Sequence, residues 1–183
     1  MIKVSKFESD KYLIMITKNG TIKRTPLNSF DTSRKGGLIA LDLDESDELA
    51  AVRLTDGKQN MMVATKKGKC IRFKETDIRS MGRSARGVRG IRLAKDDQVV
   101  GMIVIQEGIP ILTLSETGYG RLSDPTEYRL QSRGGNGVIN YHVDKYGDVA
   151  AVYSVEPNHD VIIISDSGVI IRIDANSIRK CSR

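Results

Sequence analysis

A motif of about a dozen residues recurs four times along this chain, and its spacing limits what the chain can fold into. "LIMITKNGTIKR", "MMVATKKGKCIR", "ILTLSETGYGRL" and "VIIISDSGVIIR" begin at residues 13, 61, 111 and 161, with turn glycines at 20, 68, 118 and 168. Successive copies stand 48, 50 and 50 residues apart. Each is an apolar run, a short polar turn ending in glycine, and a second run rich in β-branched residues, which is the pattern of a β-hairpin. The rest of each unit repeats too. "GLIALDL" at 37, "GVRGIRL" at 87 and "GVINYHV" at 137 align without a gap. A polar turn and a fourth apolar run follow each: "LAAVRL" at 49, "VVGMIV" at 99 and "VAAVYS" at 149.

One unit therefore reads as four strands. In the third of them Leu41 and Leu43, Ile91 and Leu93, and Tyr141 and Val143 fall on one face of a period-two pattern. Four-stranded units of ~40 to 50 residues have the size of propeller blades. The sequence predicts an all-β, propeller-like array of four-stranded antiparallel blades, partial, with about three blades plus flanking strands. The repeats run over approximately 12–60, 61–110, 111–160 and a truncated 161–183, and residues 1–7 align with the end of a preceding repeat. Neither a WD dipeptide nor a kelch-type glycine pair recurs in register. The pattern is that of a segment from a longer array, with sheet edges left open at the broken blades.

Arginines at 83, 86, 89 and 92 in "GRSARGVRGIRL" are spaced by threes, as on one face of a helix. Glycines at 82, 87 and 90 oppose a helix at ~1 kcal/mol each, and the aligned copies are strands preceded by glycine loops. The stripe is therefore read as a loop running into a strand, with Arg92 opposite the apolar face. The loop between second and third strands is basic in every copy: "TSRKGG" at 32–37, "RSMGRSARG" at 79–87, "RLQSRGGNG" at 129–137 and "RKCSR" at 179–183. The next turn is acidic in the first two units, with Asp44, Glu45, Asp47 and Glu48, then Asp96 and Asp97. Arginine and acid are thus expected on different rims. One charged loop alone reads as solvated surface, but recurrence in register favours a binding track. Duplex DNA carries one charge per ~1.7 Å of axis, and arginine–glycine loops bring guanidinium groups and backbone N–H donors to phosphates.

The formal charge of +6 comes from 29 basic and 23 acidic residues, so placement matters more than the excess. Aromatic residues are 5% and tryptophan is absent, which disfavours single-stranded nucleic acid held on stacking platforms. Cys70 and Cys181 lack CxxC spacing and a histidine cluster, so neither a disulfide nor a metal site is expected. There is no apolar signal core and no run of ~18 apolar residues, so a cytoplasmic protein without a membrane partner is expected. His142 and His159 stand apart from any nucleophile pattern, and His142 reads as a structural residue on a strand. There is no GxxxxGK[ST] motif and no acidic triplet. No catalytic residue, cofactor or small-molecule substrate is expected in this chain. Tyrosines 12, 119, 128, 141, 146 and 153 all sit at strand or turn positions, and Tyr128 shares a packing column with Phe30, Ile78 and Ile178.

"MGRSARGVRGIRL" at 81–93, "TKNGTIKRTPLNSF" at 17–30, "ETGYGRLSDPTEYRLQSRGGNGV" at 116–138 and "LTDG" at 54–57 together resemble the carboxy-terminal domain of the DNA gyrase A-protein family. The equivalent region of topoisomerase IV is a relative, and "GRSARGVRGIRL" favours gyrase. The resemblance covers essentially the whole chain. It implies a β-pinwheel with hairpins exchanged between neighbouring blades, in which the hairpin at 161–173 would complete the blade begun at 137–154. It further implies duplex DNA wrapped without sequence reading on a basic outer edge, directing the negative supercoiling that ATP hydrolysis by gyrase B drives. Partners would be double-stranded DNA, the remainder of gyrase A, and gyrase B, with ATP and magnesium only in the rest of the holoenzyme. The family heptapeptide Q-R-R-G-G-K-G is nearest at Gln131, Ser132, Arg133, Gly134, Gly135, Asn136 and Gly137, a later-blade relative in which Ser132 and Asn136 replace basic residues. DNA contacts are expected from Arg34, Lys35, Arg83, Arg86, Arg89, Arg92, Arg129, Arg133, Arg179 and Lys180. A reading of another class is a propeller-type protein-interaction module with an exposed apolar or aromatic patch.

Overall fold

A computed structural model describes residues 2–33 and 36–183. The chain opens its first unit with β1 (Tyr12–Thr17), β2 (Thr21–Pro26) and β3 (Leu49–Thr55). The second unit holds β4 (Asn60–Thr65), β5 (Lys69–Lys74), β6 (Val88–Arg89) and β7 (Val99–Ile105). The third holds β8 (Ile111–Ser115), β9 (Gly120–Ser123), β10 (Val138–Ile139), one helical turn α1 (Val143–Tyr146) and β11 (Val149–Ser154). A last hairpin, β12 (Asp160–Ile164) and β13 (Ile170–Asp174), follows.

All four repeated motifs are antiparallel hairpins, as their turn glycines and β-branched runs require. The sheets they seed run β3-β1-β2-β6, β7-β4-β5-β10, β11-β8-β9 and β12-β13. In the first two sheets the hairpin takes its inner neighbour from its own unit, but its outer neighbour from the next: β6 pairs with β2, and β10 with β5. Strand exchange is thus present at both complete blades. The inner strands β3, β7 and β11 pack side by side, and consecutive units are tied there by hydrogen bonds from Val99 N–H to the Lys18 carbonyl and from Val149 N–H to the Lys66 carbonyl, each 2.8 Å.

Three expectations need correction. The third run is a strand only over Val88–Arg89 and Val138–Ile139, while residues 38–43 form no strand and residues 143–146 form a helical turn. The run crosses to another unit's hairpin, so only the two residues that meet β2 or β5 can pair. The inward face survives in the second and third units: Ile91 and Tyr141 are buried, whereas Leu43 in the first is exposed. Second, the β12–β13 hairpin does not complete the blade of residues 137–154. Strand β10 belongs to the β4–β5 sheet and β11 to the β8–β9 sheet, which leaves β12–β13 as a two-stranded sheet. Third, His142 is exposed at the start of α1 and is not on a strand.

The core lies between sheets. Along β4, Met61 and Val63 pack with Ile14, Ile16 and Ile22 of the first blade, and Met62 and Ala64 with Ile111, Val149 and Val152 of the third. That sheet is covered on both faces, which explains its unbroken apolar run. Ile78, Tyr128 and Ile178 of the expected column pack into successive core clusters, and Tyr128 adds a polar handle: its hydroxyl bonds Ser123 Oγ at 2.6 Å and Asn140 Oδ1 at 2.8 Å, and burial pushes its pKa up to about 12. At the junction of the first two blades Glu75 is buried beside Arg24 and Thr55. Neither carboxylate oxygen reaches a partner in full hydrogen-bond geometry among the described residues, and burial pushes the carboxyl pKa up, with the nearby Thr55 hydroxyl and Arg24 charge only partly opposing it.

Candidate nucleic-acid interface

The three described basic loops following second strands take up one register on successive blades. Ser80 bridges Arg24 of β2, Leu130 bridges Arg72 of β5 and Lys180 bridges Leu122 of β9, all in parallel sense. The bonds from Met81 N–H to Arg24 O, Gln131 N–H to Arg72 O and Cys181 N–H to Leu122 O, of 2.8 to 2.9 Å, repeat the same docking. Each loop therefore lies across the outer strand of the preceding unit, on the edge away from β3, β7 and β11. The close approach selects glycine where the loop meets that strand: a Cβ on Gly137, whose φ is +68°, would fall 2.2 Å from the Cys70 carbonyl oxygen.

The loops also touch each other. Gly134 N–H donates to Gly90 O at 2.6 Å and Arg92 N–H to Gly135 O at 2.9 Å, which joins the second unit's loop to the third's. Cations on the outer strands hold them from beneath. Lys23, fully buried on β2, donates to Ala40 O at 2.9 Å and to Arg83 O. Burial lowers its pKa, with Asp42 opposing and Arg83 adding to the effect. Arg121, half-buried in the same column on β9, donates to Asn140 O and Ser182 O. Neither is among the residues selected from the sequence; the available signal is a cation in a packing column whose middle member is Ile71.

The sequence-selected residues divide into groups. The side chains of Arg89, Arg92, Arg129, Arg179 and Lys180 are exposed and, with half-buried Arg83, make no hydrogen bond or ion pair among the described residues. Arg133 is engaged instead, Nε donating to Asp77 O and a terminal nitrogen to Arg89 O, both at 2.9 Å. Arg86 faces Asp42 and Asp44, each at 3.4 Å. This corrects the expected segregation of acid from arginine: strand exchange lays the second unit's loop beside the first unit's 42–44 segment. Of the heptapeptide-like loop, Ser132, Gly135 and Asn136 are exposed and Gln131 is half-buried. Arg34 and Lys35 lie outside the described residues. No group of three metal-ligating side chains occurs among the described residues, and no helix is long and apolar enough to cross a membrane.

These features define a class: a strand-exchanged, propeller-like β array with arginine–glycine loops in register on its outer strands. A family model described as the DNA gyrase C-terminal domain, a β-propeller, matches residues 11–56, 59–106, 110–156 and 159–183, and the chain belongs to that family. It is 38% identical over 187 residues to the DNA gyrase A protein of Staphylococcus epidermidis, covering all of this chain and 21% of that protein. It is 40% identical over 173 residues to the DNA gyrase A protein of Pseudomonas aeruginosa, covering 94% of this chain and 19% of that protein. The chain thus spans about a fifth of the length of the curated relatives it matches. Among solved structures, a topoisomerase IV C-terminal domain superposes with a TM-score of 0.92 at 24% identity, over all of this chain and 58% of that one. A DNA gyrase A C-terminal domain superposes with a TM-score of 0.85 at 23% identity, over 98% of this chain and 60% of that one. At those identities the likeness is one of fold.

Proposed function

We propose that this chain binds double-stranded DNA without reading base sequence, along the outer strands of successive blades. Within a whole gyrase A protein, partnered by gyrase B in the cytoplasm, it would wrap a DNA segment and so direct ATP-dependent negative supercoiling. ATP and magnesium would act elsewhere in that assembly, and this chain would need no cofactor of its own. The observation that supports the reading is the shared register of the loops at Ser80, Leu130 and Lys180, which docks arginine-bearing loops on the outer strands of successive blades. Phosphate contacts are assigned to Arg83, Arg89, Arg92, Arg129, Arg179 and Lys180, the cations of this set without partners among the described residues. Arg34 and Lys35 are further candidates for phosphate contact by their position in the repeated loop sequence alone.

About six such cations correspond to a slope of roughly −5 in log affinity against log salt for duplex DNA. The test is a fluorescence-anisotropy titration of linear duplex and single strand at two salt concentrations. Charge reversal at Arg89, Arg92 and Arg129 together should weaken duplex binding by about ten- to a hundred-fold and flatten the slope by roughly 3. Unchanged affinity in that triple variant would remove the assignment.

A further inference from the structure

We infer that Arg133 and Arg183 are positioning residues: each clips its own loop to the preceding one, holding the track in shape, and neither contacts phosphate. The inference rests on the DNA-binding reading above and sharpens it, since Arg133 belongs to the loop that resembles the family heptapeptide.

A repeat in hydrogen bonding matches the repeat in sequence. Arg133 Nε donates to Asp77 O at 2.9 Å, and Arg183 Nε to Glu127 O at 2.8 Å. A terminal nitrogen of Arg133 donates to Arg89 O at 2.9 Å, and that of Arg183 to Ile139 O at 3.0 Å. Donors and acceptors are all displaced by one 50-residue repeat, so two copies of a unit with different surrounding sequence form the same two-carbonyl fork. Asp77 and Glu127 each close the short helical turn before a basic loop, and Arg89 and Ile139 lie on the crossing strands β6 and β10. The guanidinium therefore spans the turn that starts one loop and the strand that ends it, from the loop of the next unit.

Chemistry favours this role over a phosphate contact. Arginine presents five N–H donors in a rigid planar fork, which suits two fixed carbonyls; lysine is a point charge on a flexible stem and cannot reproduce the fork. Bare phosphate recognition by charge tolerates that exchange far better. The clip engages only the backbone carbonyl of Arg89, and the exposed Arg89 side chain has no partner among the described residues. Arg83, the member of this column in the second unit, forms no such fork among the described residues. Its loop is instead held through its own carbonyl by Lys23.

The experiment uses the full-length protein with Arg133→Lys, Arg133→Gln, Arg89→Lys and Arg89→Gln. Hydrogen exchange is measured without DNA, and duplex affinity across a salt series. For a clip, R133K fails to rescue: segments 86–92 and 131–137 exchange faster in both Arg133 variants. Affinity falls about three- to ten-fold in R133K, with the salt slope within about 0.3 of the parent. R89K should bind like the parent, while R89Q should lose roughly one unit of slope. If R133K matches the parent in exchange and affinity while R133Q loses a unit of slope, Arg133 is a phosphate contact and the inference is overturned. Should R133Q fail to fold, R133K and its exchange profile decide alone. Failure of the DNA-binding reading is seen separately, as salt-independent or absent duplex binding by the parent.

Discussion

The β4–β5 and β12–β13 hairpins are copies of one motif with opposite fates. Met61, Met62, Val63 and Ala64 are fully buried, whereas Ile162 and Ile164 are 62% and 66% exposed. The difference is one of neighbours and not of strand-forming residues, since the exposed β12–β13 hairpin is the richer of the two in β-branched side chains. The β4–β5 hairpin has β7 on one side, β10 on the other and a sheet over each face. The β12–β13 hairpin has no further strand partner among the described residues and contributes only Val161 to the third core cluster, beside Ala175 and Ile178 from the segment after it. In a strand-exchanged array no unit is complete by itself, and stability is a property of adjacent pairs.

Truncation should therefore cost very different amounts at matching positions. Met62→Ala is expected to destabilise by about 2–5 kcal/mol through a core cavity, and Ile162→Ala at the matching position by under about 0.5 kcal/mol, as read by denaturant melts. Equal costs would break the comparison. The loop and turn glycines give a smaller contrast. Gly137→Ala places a methyl group against the Cys70 carbonyl and should cost about 3 kcal/mol with loss of β10 pairing. Gly168→Ala, with φ of +84° and open space around it, should cost only about 1 kcal/mol.

Within the buried region the two complete junctions also differ. Thr25, Thr55 and Glu75 occupy the first where Phe73, Ile105 and Pro125 occupy the second. Because burial holds the Glu75 proton above the usual glutamate range, the folded chain binds more protons than the unfolded one there. Stability should then fall as pH rises from that range through the raised Glu75 value. Glu75→Gln should remove this pH-dependent loss, leaving the melting temperature flatter with pH across that range, as checked by melts at a series of pH values. The smallest effect concerns the loops. Asp44→Asn frees Arg86 from one of its two carboxylates and should raise duplex affinity about two-fold at low salt, read by anisotropy.

Much of this is legible in the residues. The hairpins follow from turn glycines and β-branched runs, and the packing column at Tyr128 from alignment of the copies. The third strand is not, because an alternating pattern marks an inward face whether or not the backbone is paired: Ile91 and Tyr141 point inward from segments that form no strand. The role of Arg133 is not legible either, since an arginine facing phosphate and one facing two carbonyls look the same in a sequence.

The sequence alone determined the hairpin repeat, the number of copies and the loops that carry the arginines, because these depend on local turn chemistry and periodicity within a few residues. Only the tertiary structure decided which unit's strand completes which sheet, which arginines remain unpaired, and that Arg86 meets Asp42 and Asp44. Those outcomes depend on groups far apart in sequence, such as Arg86 and Asp42 or Arg133 and Asp77, brought within reach of each other, and short-range pattern carries no record of such encounters.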